Sequence, residues 1–107
     1  MASEQLSIRV HVEDEEAIVI APVGEMDAFT SPVVRQVIDE LLSYEPPDVV
    51  IDLSRVDFLG GSGLGVLVDA GKRLESHGGR LTIRGATEFQ YMTLRLVRAG
   101  QVARLVP

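Results

Sequence analysis

The sequence predicts an α/β domain, a mixed and mostly parallel sheet of four to five strands with helices packed on it, in the order β-β-α-β-α-β-α-β. Three observations predict it. Two apolar runs of period two open the chain, joined by a short acidic connection. After them, β-branched runs alternate with segments of helical periodicity, the pattern of right-handed crossovers and a parallel sheet after one antiparallel pair. Finally, the turn Gly60-Gly61-Ser62-Gly63 joins an apolar run directly to a helical pattern. At 107 residues, residues 1–107 are expected to form one domain with its own hydrophobic core.

Leu6-Ser7-Ile8-Arg9-Val10-His11-Val12 alternates apolar and polar residues, as a half-buried strand does. Glu13-Asp14-Glu15-Glu16 is a hydrated turn, because four adjacent like charges repel. Ala17 to Val23 forms the second strand. Ser31 and Pro32 then read as the N-cap and first residue of a helix. Its apolar face is Val33, Val34, Val37, Ile38, Leu41 and Leu42, and Pro46-Pro47 ends it.

Val49 to Leu53 has the β-branched composition of a central strand, and Ser54 to Phe58 leads from it to the glycine turn. Ser62 is positioned to cap the next helix, which buries Leu64, Leu67, Val68, Gly71 and Leu74 and stops at Gly78-Gly79. Leu81 to Arg84 is a further strand. Thr87 and Gln90 have capping-box spacing before a helix whose apolar residues are Phe89, Met92, Leu96 and Val97. Val102 to Val106 is the last strand. Phe29 and Met92 are expected in the core, with Met26 and Leu94 as further candidates for interface contacts.

Composition narrows the function. There is no cysteine, hence no disulfide and no thiolate chemistry. Met1 to Gln5 lacks the character of a signal peptide, and no apolar run reaches the roughly 20 residues that span a bilayer; the expectation is a soluble, cytoplasmic protein. Residues 1–57 carry 13 acids and 3 bases (−10) and residues 58–107 carry 3 acids and 7 bases (+4), giving −6 overall. Such a chain is a poor nucleic-acid binder, and the asymmetry suits recognition by another protein.

The glycine turn invites two enzymatic readings, and both fail on spacing. A nucleophile elbow needs glycine where Leu64 stands, and His77 lies 15 positions beyond Ser62, roughly 22 Å along a helix, too far to act as its base. A phosphate loop needs Lys and Ser or Thr where Val66 and Leu67 follow Gly65. No metal constellation and no cofactor motif is present in the sequence.

Gly24-Glu25-Met26-Asp27, Val50-Ile51-Asp52-Leu53-Ser54, Val56-Asp57-Phe58-Leu59, Ser62-Gly63-Leu64-Gly65-Val66-Leu67 and Leu96-Val97-Arg98-Ala99-Gly100 together resemble the STAS domain of bacterial anti-sigma factor antagonists. The resemblance runs from about Leu6 to Leu105. It implies a non-enzymatic phosphoprotein of stress-responsive transcription regulation by partner switching. In its unphosphorylated state it would bind an anti-sigma factor, a serine kinase of histidine-kinase-like ATPase fold, and so release a sigma factor. Phosphorylation at Ser62 would break that complex and a PP2C-type phosphatase would restore it. The implied partner-binding residues are Met26, Asp27, Gly60, Gly61, Gly63, Leu64 and Gly65, with Asp27 beside Ser62. The family usually has Asp-Ser or Asp-Thr where this chain has Gly60-Gly61, which leaves open a STAS scaffold acting without phosphorylation; a small nucleotide-binding domain is the third reading. The family's C-terminal helix has no counterpart after Leu105, which predicts an apolar surface open to another chain.

Overall fold

A computed structural model describes residues 5–14 and 17–107. The expectations for Met1 to Glu4 and for Glu15 and Glu16 lie outside the described residues. The strands are β1 (Leu6–Glu13), β2 (Ala17–Met26), β3 (Asp48–Asp52), β4 (Val56–Leu59), β5 (Arg80–Arg84) and β6 (Arg104–Leu105). The helices are α1 (Ser31–Leu42), α2 (Gly61–Ser76) and α3 (Glu88–Leu96), followed by a 3₁₀ turn at Ala99–Gln101. The sheet runs β1-β2-β3-β5-β6, with β1 antiparallel to β2 and the other pairs parallel. This is the α/β architecture expected from the sequence, with six strands in place of four to five.

The extra strand is β4, expected only as a connection. Its four residues, Val-Asp-Phe-Leu, carry too little period-two signal to identify a strand locally. It exists because β2 is ten residues long and serves two neighbours: Ala17 to Ile20 pair with β3, and Gly24 to Met26 pair with β4 after a register shift between Gly24 and Glu25. Gly24 permits the shift. Its φ is +119°, and a Cβ there would lie 2.0 Å from the Gln5 carbonyl oxygen, so only glycine lets β1 close on this point.

In β3 and β5 the odd-numbered residues Val49, Ile51, Leu81 and Ile83 are buried with Val34, Ile38 and Leu42 of α1 and Leu64, Leu67 and Leu74 of α2. These are the faces the helical spacing identified. The even-numbered residues lie on the other side of the sheet, where Val50, Asp52, Thr82 and Arg84 are half-buried and Asp48 and Arg80 exposed. There the Arg84 guanidinium donates both Nη atoms to the Glu13 carboxylate at 3.0 Å and Nε to Asp52 at 3.4 Å.

The third helix turns the opposite way from expectation. Phe89 is 76% exposed and Leu96 75%, while Met92 and Val97 also face outward; the buried residues are Gln90 and Leu94. The rotation is set by the capping box. Gln90 Oε1 accepts from the Thr87 amide, Thr87 Oγ1 accepts from the Gln90 amide, and Gln90 Nε2 donates to the Val56 carbonyl on β4 at 3.0 Å. Pinning position 90 inward carries Leu94 inward one turn later, which leaves 89, 92 and 96 outside.

Two glycines of α2 differ in their surroundings, and their alanine variants should differ in sign. A Cβ at Gly71 would come within 2.5 Å of the Val102 carbonyl oxygen, so Gly71→Ala should lower the urea unfolding free energy by about 1–3 kcal/mol. A Cβ at Gly65 would meet nothing within 4 Å, and Gly65→Ala should raise it by up to about 1 kcal/mol.

Candidate functional site: two helix N-termini at the ends of β2 and β4

Parallel pairing aligns Met26 of β2 with Leu59 of β4, so the chain leaves both strands at the same end of the sheet. From there it turns into α1 at Ser31 and into α2 at Gly61. The Gly60 amide donates to the Met26 carbonyl at 2.9 Å, tying the two turns together. Gly63 lets the first turn of α2 settle on this junction: a Cβ there would sit 3.0 Å from Leu59 Cδ1, 3.0 Å from Met26 Cβ and 3.1 Å from the Met26 carbonyl oxygen.

Ser62 occupies the second position of α2 and is exposed. It does not cap the helix as expected. Gly60 is the N-cap, with extended backbone and no side-chain hydrogen bond to the first turn. The helix begins directly behind β4, two residues earlier than a cap at Ser62 would start it. The Ser62 hydroxyl is therefore not used by its own helix. Its recorded partner is Ser31, whose Oγ donates to Ser62 Oγ at 3.2 Å.

Ser31 was expected as the cap of α1 and is its first residue instead, buried, with Thr30 in the cap position. Thr30 makes no cap bond because its hydroxyl is committed to the preceding loop. It donates to the Glu25 carbonyl at 2.5 Å and accepts from the Asp27 amide at 2.9 Å. Asp27 Oδ1 accepts from the Phe29 and Thr30 amides, each at 2.9 Å. These bonds, from the Thr30 amide above all, hold the Asp27 carboxyl below the usual carboxylate range. Asp27 thus folds its own loop, and the α1 residue that reaches Ser62 is Ser31.

The same turn explains Phe29. Expected in the core, it is 86% exposed, because the Asp27 carboxylate holds the backbone so that Thr30 points inward and Phe29 outward. Met26, grouped with the partner-binding residues, is 0% exposed and forms the floor of the junction. Gly63 and Leu64 are buried as well. Of that group, Gly61 and Gly65 lie at the surface, with Asp27 and Gly60 partly exposed. The sequence reading missed Ser31; its position beside a proline signalled only a helix start.

Two exposed ion pairs hold α1 against α2 behind the serines, Arg35 with Asp69 at 2.9 Å and Arg73 with Asp39. Their worth is modest at the surface, about 0.2–1 kcal/mol each, but they cross between the two helices and limit relative sliding. Among the described residues no group of three or more His, Asp or Glu is placed to hold a metal ion. No described helix is long and apolar enough to cross a membrane.

A mostly parallel α/β sheet that presents an exposed serine hydroxyl where two helix N-termini adjoin suits recognition at one edge. Residues 8–106 match the model of the STAS domain, and the chain belongs to that family. It is 32% identical over 100 residues to the anti-sigma-B factor antagonist of Listeria monocytogenes, covering 94% of this chain and 88% of that protein. The crystal structure of an anti-sigma factor antagonist from Mycobacterium paratuberculosis superposes with a TM-score of 0.81 at 30% identity, over 99% of this chain and 89% of that one. The unphosphorylated form of the anti-sigma factor antagonist SpoIIAA shares the fold, with a TM-score of 0.74 at 20% identity over 94% of this chain and 88% of that one.

Removing the hydroxyl that organises the loop tests this geometry. Thr30→Val leaves the Glu25 carbonyl and the Asp27 amide without their partner and should cost about 1–3 kcal/mol in denaturant unfolding. Because the Asp27 pKa is depressed in the folded state, its stabilisation is complete above the ordinary carboxylate range and is lost as the pH falls through the folded value. Asp27→Asn should therefore flatten the acid side of the stability profile, measured as urea midpoint against pH.

Proposed function

We propose that this chain is an anti-sigma factor antagonist whose affinity for its partner is set by phosphorylation of Ser62. The unphosphorylated domain binds an anti-sigma factor, a serine kinase with a histidine-kinase-like ATPase fold, through the exposed surface of the α2 N-terminus around Gly61, Ser62 and Gly65. A sigma factor is thereby released. The kinase modifies Ser62, the complex parts, and a PP2C-type phosphatase resets the cycle in the cytoplasm. Ser62 is substrate here, not catalyst.

The observation that carries this reading is the state of the Ser62 hydroxyl: exposed, uncommitted to its own helix, and one residue inside a helix N-terminus that has no side-chain cap. A phosphate adds about −1.5 to −2 charges. In the free protein the unpaired first-turn amides and the positive helix end accommodate it. In a complex the same dianion must be desolvated against a partner surface. Nearly complete switching takes roughly 5.5 kcal/mol of differential affinity, and one mismatched buried phosphate supplies much of that. The names of the relatives support the same assignment.

Gly60-Gly61 fits a less crowded acceptor loop. A Cβ at Gly61 would meet nothing within 4 Å, so the absent side chain reflects no steric demand of the fold. Incubation with a cognate anti-sigma kinase and ATP should place one phosphate on Ser62 by mass spectrometry. Ser62→Ala should bind the kinase as wild type does, and Ser62→Asp should bind at least about tenfold more weakly. An unmodified Ser62, with Ser62→Asp binding like wild type, would favour a scaffold that acts without phosphorylation.

A further inference from the structure

The outer face of α3 is apolar, exposed and held that way from inside. Phe89, Met92 and Leu96 stand at i, i+3 and i+7, one stripe along the helix. Gln90 and Leu94 anchor the opposite side through the capping box and the bond to Val56, so the stripe cannot rotate into the core. Single exposed apolar residues are ordinary. Here they adjoin, and Phe58 of β4, also exposed, lines one groove with Phe89. A contiguous apolar strip of this kind marks a surface meant to be covered.

Charge indicates what covers it. Arg95, Arg98 and Arg104 line a cleft with Tyr91 between the end of α3 and β6. None of the three makes an ion pair among the described residues, whereas Arg35, Arg73 and Arg84 all do. Glu88 is the only acid on α3. An apolar helix stripe beside unpaired guanidinium groups complements a helix with one apolar and one acidic face.

We propose that the outer face of α3 is a docking surface for an acidic amphipathic helix of a partner protein. The partner's apolar residues lie on Phe89, Met92 and Leu96 and its carboxylates meet Arg95, Arg98 and Arg104. The inference stands on α3 and the cleft beside it, and holds whether or not Ser62 is modified.

The test uses a synthetic peptide of about 18 residues, near the length at which an isolated helix becomes marginally stable, with leucines at i, i+3, i+4 and i+7 and glutamates elsewhere. A matched peptide carries lysines in place of the glutamates. Fluorescence anisotropy should show the acidic peptide binding wild type at least about tenfold more tightly than the basic one, with affinity falling as salt is raised. Leu96→Glu, and separately Arg95→Glu with Arg104→Glu, should each abolish that preference while leaving circular dichroism unchanged. Equal binding of the two peptides, no binding of either, or indifference to these substitutions overturns the proposal. A concentration-dependent dimer in sedimentation that Leu96→Glu dissolves would assign the face to a second copy instead, and co-sedimentation with anionic phospholipid vesicles that the arginine variant loses would assign it to a membrane surface; either result overturns the proposal.

Discussion

The site depends on the close approach of the first turn of α2 to the end of β2. The Gly60 amide reaches the Met26 carbonyl, and the bare Cα of Gly63 lies where any side chain would press on Met26 and Leu59. Backbone contact at this distance sets the height at which α2 begins and hence where the Ser62 hydroxyl emerges. It also brings α2 alongside α1, so that Ser31 and Ser62 meet although 31 positions separate them in the chain. The long strand β2 makes this possible by pairing with β3 at one end and β4 at the other.

Glycine serves different purposes at neighbouring positions. Gly63 is required by packing, while Gly61 and Gly65 face open space. A glycine inside an exposed helical turn lowers helix stability relative to alanine, and nothing within the domain compensates for it at Gly65. A smooth surface that another backbone can approach closely is the compensation consistent with the proposed function. The loop before α1 is tied down by its own hydrogen bonds. Asp27 and Thr30 exchange hydrogen bonds with their own backbone, which fixes Phe29 outward at the edge of the site.

The second surface is of another kind. At the α2 N-terminus the exposed features are a hydroxyl, amides and missing side chains; on α3 they are aromatic and aliphatic groups beside arginines that make no ion pair among the described residues. The two meet near Phe58, whose ring lies 3.0 Å from where a Gly60 Cβ would stand and which shares a groove with Phe89. A polar edge suited to control by charge and an apolar face suited to affinity are thus placed side by side on one small domain.

By itself the sequence determined the α/β class, the order of the long elements, the core faces of α1 and α2, the capping box at Thr87 and Gln90, and Ser62 at the start of α2. These are local properties: period, caps and turn residues act within a few positions of one another. Only the tertiary structure decided that Val56 to Leu59 is a strand, since its pairing partner lies about 30 positions away on β2. The same holds for α3, where Met92 was expected in the core and the side-chain bond from Gln90 to Val56 holds it outside with Phe89 and Leu96. Which hydroxyl stands beside Ser62 is likewise a matter of strand register, which brings two chain turns to one edge of the sheet.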